Sequence, residues 1–403
     1  MSFLEKDIHF CKECLSINGL ENYNENTIKE RYNEIKEKFK LLKDNGKDID
    51  IENLCFSGGG IKTISYVGGL QVLEDFDLLK KVKRIAACSA GTPLALLLAF
   101  KFSVHEIRDL VYKDHTRYLD RSIWSLPGLI SILKGNYGLY SGKIIVNEMQ
   151  KLVNDSFDKY YPDYRKQKAI DNKVPQYNPT FSDLHKMFGI ELIITGTNLN
   201  KKMVEYFCPR LTPDMPLYIA TRISMSYPLM YEYVPYNGSI YIDSVCSYPL
   251  HIFYDGHEDT QIENPLTEHI LLPSSDINIF DRTIGFNNYN IETNGNIITD
   301  PNATPHNYVM DLIEKNNNMP IKGFMDYVFA IIKTAQYFIE KAEIRLVNSH
   351  KNDEYFKHTV CAILKHFEIF DLSPSEVQRS DAVTLYKIKM LEWIEDKIKT
   401  QNV

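Results

Sequence analysis

IENLCFSGGGIKTISYVGGLQVLEDF (residues 51–76) and KVKRIAACSAGTPLALLLAF (residues 81–100) decide the fold between them. In the first, the short apolar run IENLCFS reads as a buried strand, three consecutive glycines follow, and the rest continues as a helix. The second repeats the plan, with KVKRIAACS as strand and AGTPLALLLAF as helix. Strand, helix, strand, helix with no hairpin signal between them predicts a parallel sheet covered by helices. ELIITGTNL (191–199) and SIYIDSV (239–245) read as further strands of the same sheet.

Three adjacent glycines behind a strand lay backbone N–H groups bare, which suits a phosphate, a dinucleotide or an oxygen that turns negative during a reaction. A phosphate loop needs Gly directly before Lys-Ser/Thr, and Ile61 stands before Lys62 and Thr63. A dinucleotide fingerprint needs a third Gly where Thr63 stands. The oxyanion remains, and AACSAGT supports it by placing Ser89 at a strand end with Ala87, Ala90 and Gly91 around it. A sharp strand-to-helix turn of that kind holds a serine out from the sheet and points the helix N-terminus at its oxygen. Ser89 is therefore a candidate nucleophile and Gly58, Gly59 and Gly60 candidate oxyanion donors. The competing reading of Ser89 is a helix N-cap; the triple glycine in the same βαβ unit weighs against it.

The base is expected at another strand end. Asp243 follows the apolar strand SIYI and has that context, whereas His251, His257 and His269 do not. Asp255, in YDGH, reads as an ordinary turn.

The 403 residues carry a formal net charge of −7, which argues against a nucleic-acid binder working by phosphate neutralisation. Seven cysteines, odd in number and scattered, point to a reducing compartment. Cys11 and Cys14 form one CxxC near His9 with no second pair, so no metal site is expected. No apolar stretch reaches the length of a membrane span, and the N-terminus does not read as a secretory signal.

Between residues 26 and 45, Ile28, Tyr32, Ile35, Phe39 and Leu42 fall at steps of four and three, an amphipathic helix expected to pack on the chain's own core. Residues 276–318 are rich in Asn, Thr and Asp and read as irregular loops. Beyond them Phe324, Val328, Ile331, Ala335, Phe338 and Ala342 repeat with helical period and are expected to face the core, and LSPSEVQRSDAVTLYKIKMLEWIEDKI reads as a terminal helix begun by a Ser-Pro cap. The division expected is residues 1–50 as an N-terminal helical extension, 51–275 as the catalytic α/β domain, and 276–403 as a loop-rich segment with C-terminal helices packing on it.

GGGIKT, ACSAG and DSV, in that order, resemble the oxyanion loop, nucleophile turn and aspartate motif of the patatin-like phospholipase family, over residues 53–252. The resemblance implies a three-layer α/β sandwich with a mostly parallel sheet and helices on both faces. It also implies a Ser-Asp dyad, without histidine, metal or other cofactor, that hydrolyses acyl esters of lipids. Carried over by motif, Ser89 attacks the acyl carbonyl and Asp243 accepts its proton. Gly58, Gly59, Gly60 and the Ala90 N–H hold the oxyanion.

Burial beside Ser89 is expected to raise the pKa of Asp243. The chain departs from the pattern at Ala87, Thr63 and Ser244, where the family has glycine. If position 244 needs a positive φ, Ser costs on the order of 1 kcal/mol there. The expected partners are a lipid or phospholipid substrate and, transiently, a membrane surface, with a cytoplasmic location peripheral to intracellular membranes. Residues 122–140, with Trp124 and Leu129, are the expected lid or interfacial wedge. Oligomeric state is not legible. A lipid-binding scaffold on the same fold is the alternative function.

Overall fold

The structure is a computed structural model that describes residues 11–113, 115–120, 135, 137–244, 249–253, 279–290, 321, 327–328, 330–335, 337–339, 341, 357–364, 367 and 372–401. The strands, in chain order, are β1 (Asn53–Phe56), β2 (Arg84–Ala87), β3 (Gly138–Tyr140), β4 (Glu191–Asn198) and β5 (Met203–Phe207). They continue with β6 (Leu229–Tyr231), β7 (Val234–Tyr236), β8 (Ser239–Asp243), β9 (Thr283–Asn290) and β10 (Thr359–Leu364). The main sheet runs β10-β9-β1-β2-β4-β8-β7, with β5 also on β4, while β3 and β6 pair by themselves. Pairing is parallel from β10 through to β4 and antiparallel where β5, β8 and β7 join.

Both sheet faces are buried, and the period of two sorts the strand residues between them. Leu54, Phe56, Ile85, Ala87, Leu192 and Ile194 belong to the principal core, with the helices. The intervening Cys55, Ala86 and Ile193 belong to a second core, closed by Leu250, Ile252 and Phe253 of the 3-10 turn Pro249–Phe253 and by Phe280. The result is the expected α/β sandwich with a mostly parallel sheet between flanking helices.

The helix Glu25–Asp44 starts where Asn24 and Thr27 cap each other, and it buries Ile28, Tyr32, Ile35, Phe39 and Leu42, the stripe read from the sequence. That stripe joins the principal core. The Cys11 side chain accepts the Cys14 N–H at the start of a short helix, Lys12–Ile17.

Residues 276–403 contribute more than loops and helices. β9 and β10 add two parallel strands to the sheet, β9 directly beside β1. The Asn-rich spelling TIGFNNYN hid β9, because asparagine disfavours strands except where side-chain hydrogen bonds fix it. The terminal helix, Glu376–Gln401, begins two residues later than expected. Ser375 and Gln378 cap each other, with Gln378 N–H to Ser375 Oγ at 3.2 Å and Ser375 N–H to Gln378 Oε1 at 2.8 Å, so Ser375 replaces Ser373-Pro374 as the cap.

That helix packs on Tyr66–Asp75, the helix after the triple glycine. The approach is so close that a Cβ on Gly68 would collide with the Val383 carbonyl. Phe286 and Tyr386 stack with 3° between ring planes at the same contact. The stripe read at residues 324–342 behaves otherwise. Where described it is helical, but Ile331 and Phe338 are 53% and 64% exposed, so those two do not face the core as expected. Phe324 and Ala342 lie outside the described residues, as does nearly all of the expected lid, including Trp124 and Leu129.

Candidate active site

β2 ends at Ala87 opposite Ile194, and two residues further along β4, Gly196 pairs with Asp243 of the incoming β8. Ser89 lies two residues beyond Ala87, so sheet register alone brings the serine and the aspartate to the same level. The Ser89 hydroxyl donates to Asp243 Oδ2 at 2.6 Å. The residue expected as base is thus in contact with the residue expected as nucleophile.

Ser89 has φ 49°, in the left-handed region that costs a residue with a Cβ on the order of 1 kcal/mol or more. The turn leaves no room for anything looser: Gly91 N–H bonds to Cys88 O at 3.0 Å and Thr92 N–H to Ser89 O at 3.0 Å, opening the helix Gly91–Ala99 at once. Ala87, which stands where the family has glycine, keeps ordinary strand pairing and buries its methyl in the principal core. A half-exposed serine on such an elbow can meet a substrate carbonyl, while its strand stays buried.

The triple glycine faces it. A Cβ on Gly58 would lie 2.7 Å from Ser89 Cβ, a separation no real pair adopts, so only glycine lets this loop reach the serine. Gly59 and Gly60 have φ 130° and 61° and lead into the 3-10 turn Gly60–Ser65, whose first amides have no partner within the turn. Gly58 differs from them, because its N–H is held by Cys88 Sγ at 3.1 Å. Ala90 is the residue from which the Gly91–Ala99 helix starts, so its N–H belongs to the positive end of that helix.

Asp243 is 1% exposed. Burial pushes its carboxyl up to about 8, against the lowering effects of the Ser89 hydroxyl, the Ser244 backbone N–H and the nearby Arg222. Its Oδ1 makes no hydrogen bond. Ser244 does not have a left-handed φ, so the strain anticipated there does not arise. Its hydroxyl instead bonds to Thr195 Oγ1 at 2.6 Å and ties the end of β8 to β4. Thr63, the other departure, donates to Gly60 O at 3.0 Å and Ala90 O at 3.4 Å, clamping the glycine turn to the start of the serine's helix.

Sequence reading missed several supports. Asn287 and Asn288, within β9, hold the glycine loop: Ser57 Oγ donates to Asn287 Oδ1 at 2.6 Å, and Asn288 Nδ2 donates to Lys62 O at 3.0 Å and to Ser65 Oγ at 2.8 Å. The adjacent asparagines closing an apolar run were the available signal. Arg222 and Ser224 were also missed, between the quoted motifs. Asp255, His257 and His269 lie outside the described residues. His251 falls in the 3-10 turn Pro249–Phe253.

A cavity of about 710 Å³ opens over the serine, within the usual range of small-molecule sites. Ser89, Asp243 and the glycine loop line it together with the apolar Leu94, Leu97, Leu110, Ile145, Met149 and Leu152. Among the described residues no helix is long and apolar enough to cross a membrane, and no cluster of His, Cys, Asp and Glu has metal-binding form.

A strained serine elbow in contact with a buried carboxyl, on a mostly parallel sheet, defines the class of α/β proteins with a candidate hydrolytic dyad. Residues 54–254 match the family description "Patatin-like phospholipase", and the chain belongs to that family through this domain. The uncharacterized protein R571 of Acanthamoeba polyphaga mimivirus is 25% identical over 290 residues, 70% of this chain and 75% of that one. "Probable lipid hydrolase 463L" of Invertebrate iridescent virus 6 is 23% identical over 192 residues, 48% of this chain, which therefore spans only 59% of that relative. Among solved structures, VipD from Legionella pneumophila aligns with a TM-score of 0.46 at 15% identity, covering 86% of this chain and 67% of VipD.

Proposed function

We propose that the protein is a serine acyl hydrolase that cleaves acyl esters of phospholipids or other lipids, with Ser89 as nucleophile and Asp243 as base. The observation that carries this reading is the 2.6 Å hydrogen bond from Ser89 Oγ to Asp243 Oδ2, made by a serine in the left-handed region. A carboxyl raised to about 8 is a far better proton acceptor near neutral pH than an ordinary aspartate.

Ser89 Oγ adds to the ester carbonyl carbon as its proton passes to Asp243 Oδ2, and the carbonyl oxygen becomes the oxyanion. The amides of Gly59 and Gly60, with the Ala90 N–H at the helix start, supply fixed donors for that charge. Gly58, whose N–H is engaged by Cys88 in the resting state, contributes clearance. Collapse breaks the bond to the alcohol, which leaves with the proton from Asp243. Water then attacks the acyl-enzyme, gives a proton to Asp243, and collapse returns that proton to Ser89 as the fatty acid departs. The apolar side chains lining the cavity take the acyl chain. Substrate comes from a membrane surface, approached from the cytoplasm.

Labelling with a fluorophosphonate tests the reading, with hydrolysis of phospholipid vesicles alongside. Wild type is expected to be labelled and active and Ser89→Ala neither. Labelling that survives in Ser89→Ala would refute the assignment. A wild type that binds vesicles but is neither labelled nor active would establish the scaffold alternative.

A further inference from the structure

We propose that residues 222–226 form a single bracket that sets the Ser89–Asp243 geometry, with Ser224 positioning the nucleophile and Arg222, through Ser226, positioning the base. The inference rests on the dyad reading given above. The segment ends the helix Leu217–Ser224 and turns toward β6.

Its two ends hold the two halves of the dyad separately. Ser224 Oγ accepts the Ser89 backbone N–H at 2.8 Å and the Thr92 hydroxyl at 3.1 Å, so one oxygen ties both the elbow and the first turn of its helix. Two residues later, the Ser226 carbonyl accepts the Asp243 backbone N–H at 2.9 Å. A bond to each backbone fixes the separation of the two side chains more firmly than their own hydrogen bond can, because neither anchor depends on the proton that moves. Ser224 also takes up the Ser89 N–H, which leaves the oxyanion to the amides of the glycine loop and Ala90.

Arg222 makes the bracket rigid. It is 4% exposed. Its guanidinium donates to Glu232 O at 2.8 Å, to Ser141 O at 3.3 Å and to the Ser226 hydroxyl, which itself donates to Arg222 O at 2.7 Å. Three separate segments therefore converge on one side chain, and its ring partner is Tyr231, 5.7 Å from ring centroid to guanidinium carbon. The titratable and charged groups around it are Tyr231, Glu232, Asp120 and Asp243. Those facing Asp243 are the Ser89 hydroxyl, the Ser244 N–H and Arg222. A cation was not required merely to fill this space, and a buried guanidinium that braces an uncompensated carboxyl acts on it through field as well as through geometry.

The two ends have different signatures. Ser224→Ala is expected to lower the fluorophosphonate labelling rate about 10- to 100-fold at every pH, since it loosens the elbow without touching the carboxyl's surroundings. Arg222→Met is expected to shift the midpoint of the pH–labelling profile upward by about one unit, and Arg222→Lys to restore it, because the charge returns without the fork. Titration of the Asp243 carboxyl by carbon NMR, assigned with Asp243→Asn, reads the same shift without catalysis.

A Ser224→Ala protein labelled at the wild-type rate, or an Arg222→Met protein whose carboxyl midpoint is unmoved, would overturn the bracket. Should Arg222→Met fail to fold, Ser224→Ala, which removes one oxygen, and Arg222→Lys decide it. A wild type that is not labelled would count against the hydrolase reading alone, and the carbon titration would still judge Arg222.

Discussion

The two ends of the central strands are built to opposite rules. At the N-terminal end, Asn53, Arg84, Glu191 and Thr283 lie in register across β9, β1, β2 and β4, and their polar atoms find one another. Glu191 bonds to Arg210 Nε at 2.7 Å and lies 3.5 Å from Arg84 Nε, Arg84 reaches Asn53 Oδ1 at 3.2 Å, and Asn53 Nδ2 reaches Thr283 Oγ1 at 3.1 Å. At the C-terminal end of the same strands the chain turns left-handed at Ser89, and a buried carboxylate oxygen on Asp243 has no hydrogen-bond partner. Satisfied polar groups hold a sheet together, whereas under-satisfied ones store the reactivity a site needs.

If that contrast is right, substitutions at the two ends should separate activity from stability. The largest effect belongs to Ser89→Ala, which should reduce lipid hydrolysis at least about 10⁴-fold in a vesicle assay with little change in thermal midpoint. Asp243→Asn should cost about 10³- to 10⁴-fold in kcat, and should also reshape the stability curve. Because the folded carboxyl is raised to about 8 from an ordinary value near 3.8, the folded state binds more protons between those limits, so this group makes the wild type less stable as pH rises from about 4 to about 8. Melting curves at pH 6 and pH 9 should show Asp243→Asn gaining on the wild type at the higher pH; parallel losses would remove the buried-base argument. The same ionisation predicts kcat/KM rising tenfold per unit below about 8 and levelling above it.

At the opposite end, Glu191→Ala should cost about 3 kcal/mol of stability, since it removes the carboxylate beside Arg84, which is 7% exposed. Its kcat should stay at the wild-type level, and a matching fall in kcat would erase the distinction between the ends. Gly58→Ala should lower kcat about 10- to 100-fold through the contact with Ser89, without the stability loss expected for Glu191→Ala. The smallest effect is expected for Thr63→Val, about threefold in kcat, because one of several ties on the glycine turn is removed.

The contrast also explains what could be read in advance. The glycine loop, the serine turn and Asp243 were legible because each needs a particular residue at a particular strand end, a demand written in short local strings. The amphipathic helix Glu25–Asp44 was legible for the same reason, through its period and its cap. The second tier was not. Asn287, Asn288 and Ser224 act through partners more than 130 residues away in the chain, and Arg222 joins its near neighbours Ser226 and Glu232 to Ser141, 81 residues back, so no local string announces these contacts. β9 escaped notice because tertiary hydrogen bonds overrode the weak strand preference of asparagine. Ser244 was judged by a backbone demand that the fold does not make.

The contact at Gly68, where the terminal helix closes on the helix behind the glycine loop, has a temporal consequence. The loop, the serine and the aspartate are all synthesised within the first 243 residues, yet the surface that braces the loop's helix comes from residues 376–401. During translation the glycine loop, Ser89 and Asp243 therefore emerge before the helix that packs behind that loop.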